Sequence, residues 1–581
     1  MIFKKPSDLD MVADSKNPKE LNSDLRPPRQ VMRLERMGAS HQTRLSFMRR
    51  LIRRMANERW SFECLRFDVD ADGYGTVVYA AHAPEHTYSL VAFTQELAPE
   101  KRTDRVIAEA WDATFNLFDG VPTDDDIARL AENTPKQEAG RFLSSELCLA
   151  RGNKSLRLFE HMVSALASGR QPDIDRLCDV GYLMRTTAVY GSGKFGCADY
   201  QKIAGRPEMA APFQAEMLTV FLIRGLLFDL VNHVASARGG SKAVTLRRDF
   251  ARYLGIGNST GLGMAPFLIY HPHLINNWVW ARETALARVR AVTSVSSEEA
   301  ADFGKLIGKA RHFVNEWNVK DNAQTERIKI LRDELANLAE WCQTGLSCSA
   351  PWDAVVRYAE ATYSLEGQEL TNSLLLEAYG DLVDDLGDSM GTNMVPKLDP
   401  LMSVKGVRDL INANYKWVQE TDFSKNSSQQ RFWYYSEDKL EPRLGSRYTE
   451  PGAELEMPIA VARDVSLLQD CLTERGDDET MAEFLMLKPE FRQIVRRIQS
   501  VANSPYGEIQ DNLLDATVRP LDILRFKLAF FGVSKFDPKS DLWTRVNMYQ
   551  GAPLLDEISQ EKANGWIFPL KPGSDNPACP L

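Results

Sequence analysis

The stretch that most limits how this chain can fold is Met217 to Ala235, MLTVFLIRGLLFDLVNHVA, which is apolar on nearly every side of a helix. A helix that is hydrophobic all round has to be covered all round, by lipid or by the rest of a large protein. A bilayer span calls for about 20 consecutive predominantly apolar residues with few or no charges. Here Arg224, Asp229 and His233 recur at helical spacing. The expected solution is a core helix with a few polar contacts built around it, and no membrane span.

The cover is affordable. At 581 residues and 65.5 kDa the chain exceeds the size at which one core stops growing, so two or three substructures are expected. Its hydrophobic share of 44% supports a packed interior without disulfides. The eight cysteines, at 64, 148, 178, 197, 342, 348, 471 and 579, contain no CxxC pair. With no apolar leader at the start, the expectation is a reduced, cytoplasmic protein. A formal net charge of −10 argues against sequence-independent nucleic-acid binding, which needs a surplus of Lys and Arg. The basic stretch Arg33 to Trp60, RLERMGASHQTRLSFMRRLIRRMANERW, reads as a solvated amphipathic helix, with partner docking as the alternative.

Periodicity divides the chain. Residues 1–32 form a polar arm, compatible with packing on a second copy in a homodimer without requiring one. Residues 33–122 read as a helix, a three-stranded antiparallel meander (FECLRFDVD, TVVYAAHA, YSLVAFTQEL) and a covering helix, RTDRVIAEAWDATFNLF. Residues 123–387 read as a helical body, with starts marked at PTDDDIARL, TPKQEAGRF and SSEEAADF. An irregular aromatic and Gly/Pro-rich region, 388–465, is followed by helices over 466–550 and a tail over 551–581. The fold class expected is mainly α, α+β by arrangement: a large helical body with a small three-stranded meander near the N-terminus.

Two glycine-rich stretches interrupt the helical pattern. VYGSGKFGCADYQKIAGRPEM, from Val189 to Met209, is not a Walker loop, since Ala188 stands where the first glycine belongs and Phe195 follows Lys194. Its glycines let the backbone approach a ligand, and Tyr190, Ser192, Lys194 and Asp199 gather beside them. The second, from Arg252 to Glu283, places Asn258, Ser259 and Thr260 among four glycines, followed by His271, Asn277 and Arg282. It lacks a dinucleotide fingerprint, because GxGxxG is broken at Thr260 and the residues before it read as a charged helix. It is expected to form a turn that offers amides to an anion at a helix N-terminus.

From these residues the chain is expected to be an enzyme acting on a small organic anion, a carboxylate or phosphate, by acid/base chemistry, as a lyase or isomerase. Tyr190, Lys194, Asp199 and His271 are the catalytic candidates; Ser192, Asn258, Ser259, Thr260, Asn277, Arg282 and Arg443 are the binding candidates. No cofactor motif is legible. An alternative uses Asp384, Asp385 and Asp388 to hold Mg²⁺ against a diphosphate. That pattern is similar, over five residues, to the aspartate-rich motif of isoprenoid diphosphate enzymes, while an acidic solvent face is the favoured reading. A non-catalytic helical scaffold is the third reading.

Overall fold

The computed structural model describes residues 25–101, 110–136, 143–187, 203, 205–261, 272–391, 397–421, 461–510, 521–540 and 543–573. Its central feature corrects the expected fold class. The three meander strands, β1 (Ser61–Val69), β2 (Gly75–His82) and β3 (Thr87–Thr94), continue into β4 (Ala113–Asp119), β5 (Glu146–Lys154), β6 (Tyr182–Thr186), β7 (Gly255–Gly261), β8 (Asp537–Ser540) and β9 (Trp543–Met548). Together they make one mixed sheet of nine strands, ordered β1-β2-β3-β4-β5-β6-β7-β9-β8, in place of a small meander. The architecture is α+β with a sheet that runs through the protein.

Two of the missed strands, β4 and β5, share a physical cause. All nine residues of β5 and six of the seven in β4 are buried, so neither shows the alternation that marks a half-exposed strand. The helix expected over RTDRVIAEAWDATFNLF therefore becomes, in its described part, β4.

The helices that bear on the site are α1 (Phe47–Asn57), α2 (Asp124–Asn133), α3 (Gln214–Gly239), α4 (Pro272–Arg290), α5 (Leu365–Ala378) and α6 (Leu521–Phe531). Helix α3 contains the apolar stretch and lies on one face of the sheet, here called the inner face. Phe221 meets Phe62 of β1 with ring centroids 6.2 Å apart and Tyr549 at 5.2 Å. By length and composition α3 could cross a bilayer, but 72% of its most apolar window is buried within the protein. The three polar residues that break the apolar stretch are engaged: Asp229 accepts from the Tyr79 hydroxyl, and His233 Nε2 lies 2.8 Å from the Asp70 carbonyl. Arg224 donates to five carbonyls, those of Ala251, Arg252, Leu254, Ala552 and Pro553.

The opposite, outer face is covered over β2–β4 by α2, through a separate cluster of Val78, Val91, Phe118 and Leu130. Helix α2 starts where PTDDDIARL marks it, with a capping box between Thr123 and Asp126. A second capping box, Ser296 with Glu299, starts the helix Ser297–Glu316. The region expected to be irregular holds a helix over Val404–Asn414, and residues 422–460 lie outside the described part.

One strand pair breaks the antiparallel pattern. β6 and β7 are neighbours and parallel, which requires a crossover connection, and α3 lies in the segment that joins them. The first glycine-rich stretch thus follows β6 in sequence, and the second runs through its parallel neighbour β7. Residues 188–202 and 262–271, with most of the first stretch and part of the second, lie outside the described residues.

Beside this framework α3 buries one acid without compensation. Glu216 is fully buried, and neither carboxyl oxygen has a hydrogen-bond partner. Burial pushes its carboxyl well above the usual carboxylate range. A raised folded pKa means the native state holds a proton that the unfolded chain releases above about pH 4.3. Its contribution is thus fully present below that pH and is lost as pH rises. Glu216→Gln, which cannot ionise, is expected to be more stable than the parent at pH 8, with the advantage shrinking towards pH 4 by up to about 1.4 kcal/mol per pH unit. Urea unfolding across that range measures it; equal stability differences at pH 4 and pH 8 would refute it.

Candidate anion-binding site

The residues singled out by sequence separate into two places. Arg282 lies in α4 on the helical side, 2% exposed, where it donates to Glu369 of α5 and to its neighbour Glu283. Arg26 donates through Nε and Nη2 to both oxygens of Glu283, each at 2.7 Å, and through Nη1 to Glu369 at 2.9 Å. Arg36 adds a third guanidinium to Glu369 at 2.8 Å. Burial alone would raise the Glu369 carboxyl, but Arg26, Arg282 and Arg36 hold it well below the usual range. A void of about 10 Å³ beside Arg36, Arg282 and Glu369 is at the lower limit for one water. Arg282 is therefore committed to the interior.

The basic stretch behaves in the same way. Arg49 of α1 donates to Glu377, Arg44 to Asp384 at 2.6 and 2.8 Å, and Arg50 and Arg54 to Asp388 at 2.7 Å each. Asp385 accepts from Arg288 at 2.8 Å. The three aspartates considered for a metal thus each hold an arginine, and they sit on a 3-10 run, Asp384–Gly391, that places Asp385 and Asp388 in line instead of Asp384 and Asp388. Among the described residues no group of three or more potential metal ligands forms. Asn277 donates to the Met390 carbonyl at 3.2 Å. Tyr190, Ser192, Lys194, Asp199, His271 and Arg443 lie outside the described residues.

The second place is the sheet. Asn258, Ser259 and Thr260 do not form a turn: they are strand β7, paired with Val546, Arg545 and Thr544 of β9. Asn258, opposite the core residue Val546, faces inwards, and its buried Oδ1 has no partner.

On the outer face the register gathers residues that the sequence reading passed over. Asn153 of β5 stands opposite Arg185 of β6, Arg185 opposite Gly257 of β7, and Gly257 opposite Asn547 of β9. Side chains two apart share a face, which adds Arg151 and Arg545. A bulge in β6 between Tyr182 and Arg185 re-aims the strand, so both of these residues project on the outer side. Tyr182 leans over β7, where its ring comes within 2.7 Å of where a Cβ on Gly257 would be. Glycine at 257 is needed for that close approach. Arg185 rests against the same ring, 5.4 Å from its centroid, and donates through Nε to the Tyr182 hydroxyl at 2.8 Å.

Electrostatics sets this arginine apart. Arg185 is 6% exposed, yet its only acceptor among the described residues is a neutral phenol. Other buried polar atoms on this face also lack a partner: both side-chain atoms of Asn116 on β4, Trp111 Nε1, Arg545 Nε and Asn547 Oδ1. Trp111 stacks on Arg151, whose guanidinium carbon is 4.0 Å from the ring centroid. The one nearby acid on β8, Asp537, is held by Lys539 at 2.5 Å. The face presents fixed, cationic donors with spare hydrogen-bonding capacity, which suits an anion. An arginine two residues beyond GYL was the only sequence signal for it, and nothing local marked it as unpaired.

The two places predict opposite responses to mutation. Removing the shared acid with Glu369→Ala leaves Arg26 and Arg282 to share Glu283 alone and Arg36 without its carboxylate, and is expected to cost about 3–5 kcal/mol. Asp388→Ala, at a side chain 64% exposed, is expected to cost no more than about 1 kcal/mol. Denaturant titration at unchanged m-value compares them; equal losses would show that the buried cluster does not carry the helical side.

No protein family, curated protein or solved structure matches this chain.

Proposed function

We propose that the protein binds a small organic anion, a carboxylate or phosphate, on the outer face of the sheet where β6, β7 and β9 run side by side. The observation that carries this reading is Arg185, a buried guanidinium with no carboxylate partner among the described residues. Leaving a charge buried and unpaired is costly. Elsewhere this protein compensates its buried arginines: Arg26, Arg49, Arg282 and Arg525 with carboxylates, Arg224 with carbonyls. An anionic ligand supplies at Arg185 what the chain supplies at those positions.

The acid/base chemistry expected from the sequence fits the same place through Tyr182. Its hydroxyl accepts from Arg185, which leaves the phenolic proton available for donation to a ligand held by the guanidinium. Tyr182 is therefore the described residue best positioned for a proton-transfer role, with Arg185 and Arg545 as the anion-holding pair.

Thermal unfolding in the presence of acetate, succinate, inorganic phosphate and sulfate tests the reading. At least one of these is expected to raise the Tm in a concentration-dependent way, and Arg185→Gln is expected to abolish the shift while circular dichroism stays native. Arg357→Gln, at a side chain 74% exposed and far from the sheet in the chain, is expected to retain it. No shift with any anion, or an equal shift in Arg185→Gln, would overturn the proposal.

A further inference from the structure

The geometry points to a further member of the Arg185 site: we infer that Gly257 is a positioning residue, which sets the direction of the Arg185 guanidinium through the Tyr182 ring. The inference rests on the anion-binding reading above and concerns what holds that site in shape. A glycine inside a strand needs a physical reason. It weakens the strand relative to alanine, because it loses more backbone freedom on folding and brings no side chain to pack. The backbone does not call for one here, since φ at 257 lies outside the left-handed region and any residue could adopt it.

What excludes a side chain at 257 is space. An added Cβ would meet Tyr182 Cδ2 and Cγ at 2.7 Å and Cδ1 at 2.9 Å, and these three ring atoms are its nearest neighbours. Gly255, two residues earlier, differs: there backbone atoms of Met548 and Gln550 stand in the way together with Asn547. Gly255 thus serves the packing of chain on chain, while Gly257 makes room for one aromatic ring. The register shows what that room achieves. Tyr182 pairs with Gly255, yet its ring lies over Gly257, the residue paired with Arg185. Residues three apart on a regular strand point to opposite faces, and the bulge between Tyr182 and Arg185 brings both to one. The ring therefore reaches along β7 to the level of Arg185. There its hydroxyl accepts from Arg185 Nε at 2.8 Å, and its centroid lies 5.4 Å from the guanidinium carbon. Held at Nε, the fork keeps its Nη donors for a ligand. A methyl group at 257 displaces the ring, and with it the contact that aims the guanidinium.

Isothermal titration of the full chain with inorganic phosphate and with succinate tests this. Gly257→Ala is expected to weaken whichever probe binds the unmutated chain by about 10-fold or more, the loss that follows when a charged group forfeits one of its hydrogen bonds. Gly565→Ala, where an added Cβ meets nothing within 4 Å, is expected to bind as the unmutated chain does. A second comparison removes the ring. Tyr182→Ala is expected to weaken binding as well, and adding Gly257→Ala to it is expected to change nothing further, because the methyl group no longer has a ring to displace. If Gly257→Ala shifts the Tm but binds as tightly as the unmutated chain, the glycine serves packing alone and the inference is overturned. A second full loss in the double variant would overturn it too. Each comparison stands by itself where a variant of the other fails to fold. Binding of neither probe by the unmutated chain would remove the anion site itself, and this inference with it.

Discussion

The structure is organised around the need to bury α3. Its apolar surface needs cover on every side, and a guanidinium near its middle, Arg224, must be buried with it. Water would ordinarily solvate that charge. Here five backbone carbonyls do so, from residues 251–254 on one side and 552–553 on the other. An arginine has five N–H donors, so this shell leaves little unsatisfied. The consequence is long-range: the segment entering β7 and the chain beyond β9 are tied to the same side chain. The Tyr549 hydroxyl, donating to the Met217 carbonyl at 2.9 Å, fastens the same region a second time. Covering α3 thus brings the C-terminal strands to the sheet and makes β9 the neighbour of β7.

The helical side solves a similar problem with charge in place of carbonyls. Every residue of α5 from Glu366 to Glu377 is buried, including three glutamates, and each glutamate meets arginine: Arg525 at Glu366, Arg26, Arg36 and Arg282 at Glu369, Arg49 at Glu377. Buried ion pairs add little net stability against a well-packed apolar alternative, but breaking one is expensive. Such a helix tolerates only one seating, because a shift by one turn strands several charges at once. The stretch beginning at Arg26 is held in this way, so the start of the described chain is part of the core. Against that background the uncompensated Arg185 stands out.

Local signals made several elements legible. The apolar run with three polar breaks identified α3 as a core helix, the alternating runs identified β1 to β3, and hydroxyl-acid pairs identified the starts at Thr123 and Ser296. Local signals failed where burial was two-sided. In β4 and β5 both faces are covered, alternation disappears, and the residues read as helix. β7 was hidden differently: GIGNSTG looks like a turn because glycine is permissive, yet Gly255 and Gly257 are glycines so that Asn547 and Tyr182 can lie across a strand. Among the binding candidates the sequence favoured Arg282, which the fold consumes in an ion-pair cluster.

What the sequence determined by itself is what depends on neighbours within a few residues: helix periods, caps, the meander, the absence of a Walker loop. What only the tertiary structure decided is which charges are compensated. Arg185 and Arg282 are alike in type, and the one acid beside Arg282 in sequence, Glu283, also serves Arg26, so local sequence does not assign their roles. The difference arises from Glu369, 87 residues from Arg282 along the chain, and from the absence of any such carboxylate among the described neighbours of Arg185. Compensation of a buried charge is set by contacts between distant segments, and those exist only once the sheet and α5 are in place.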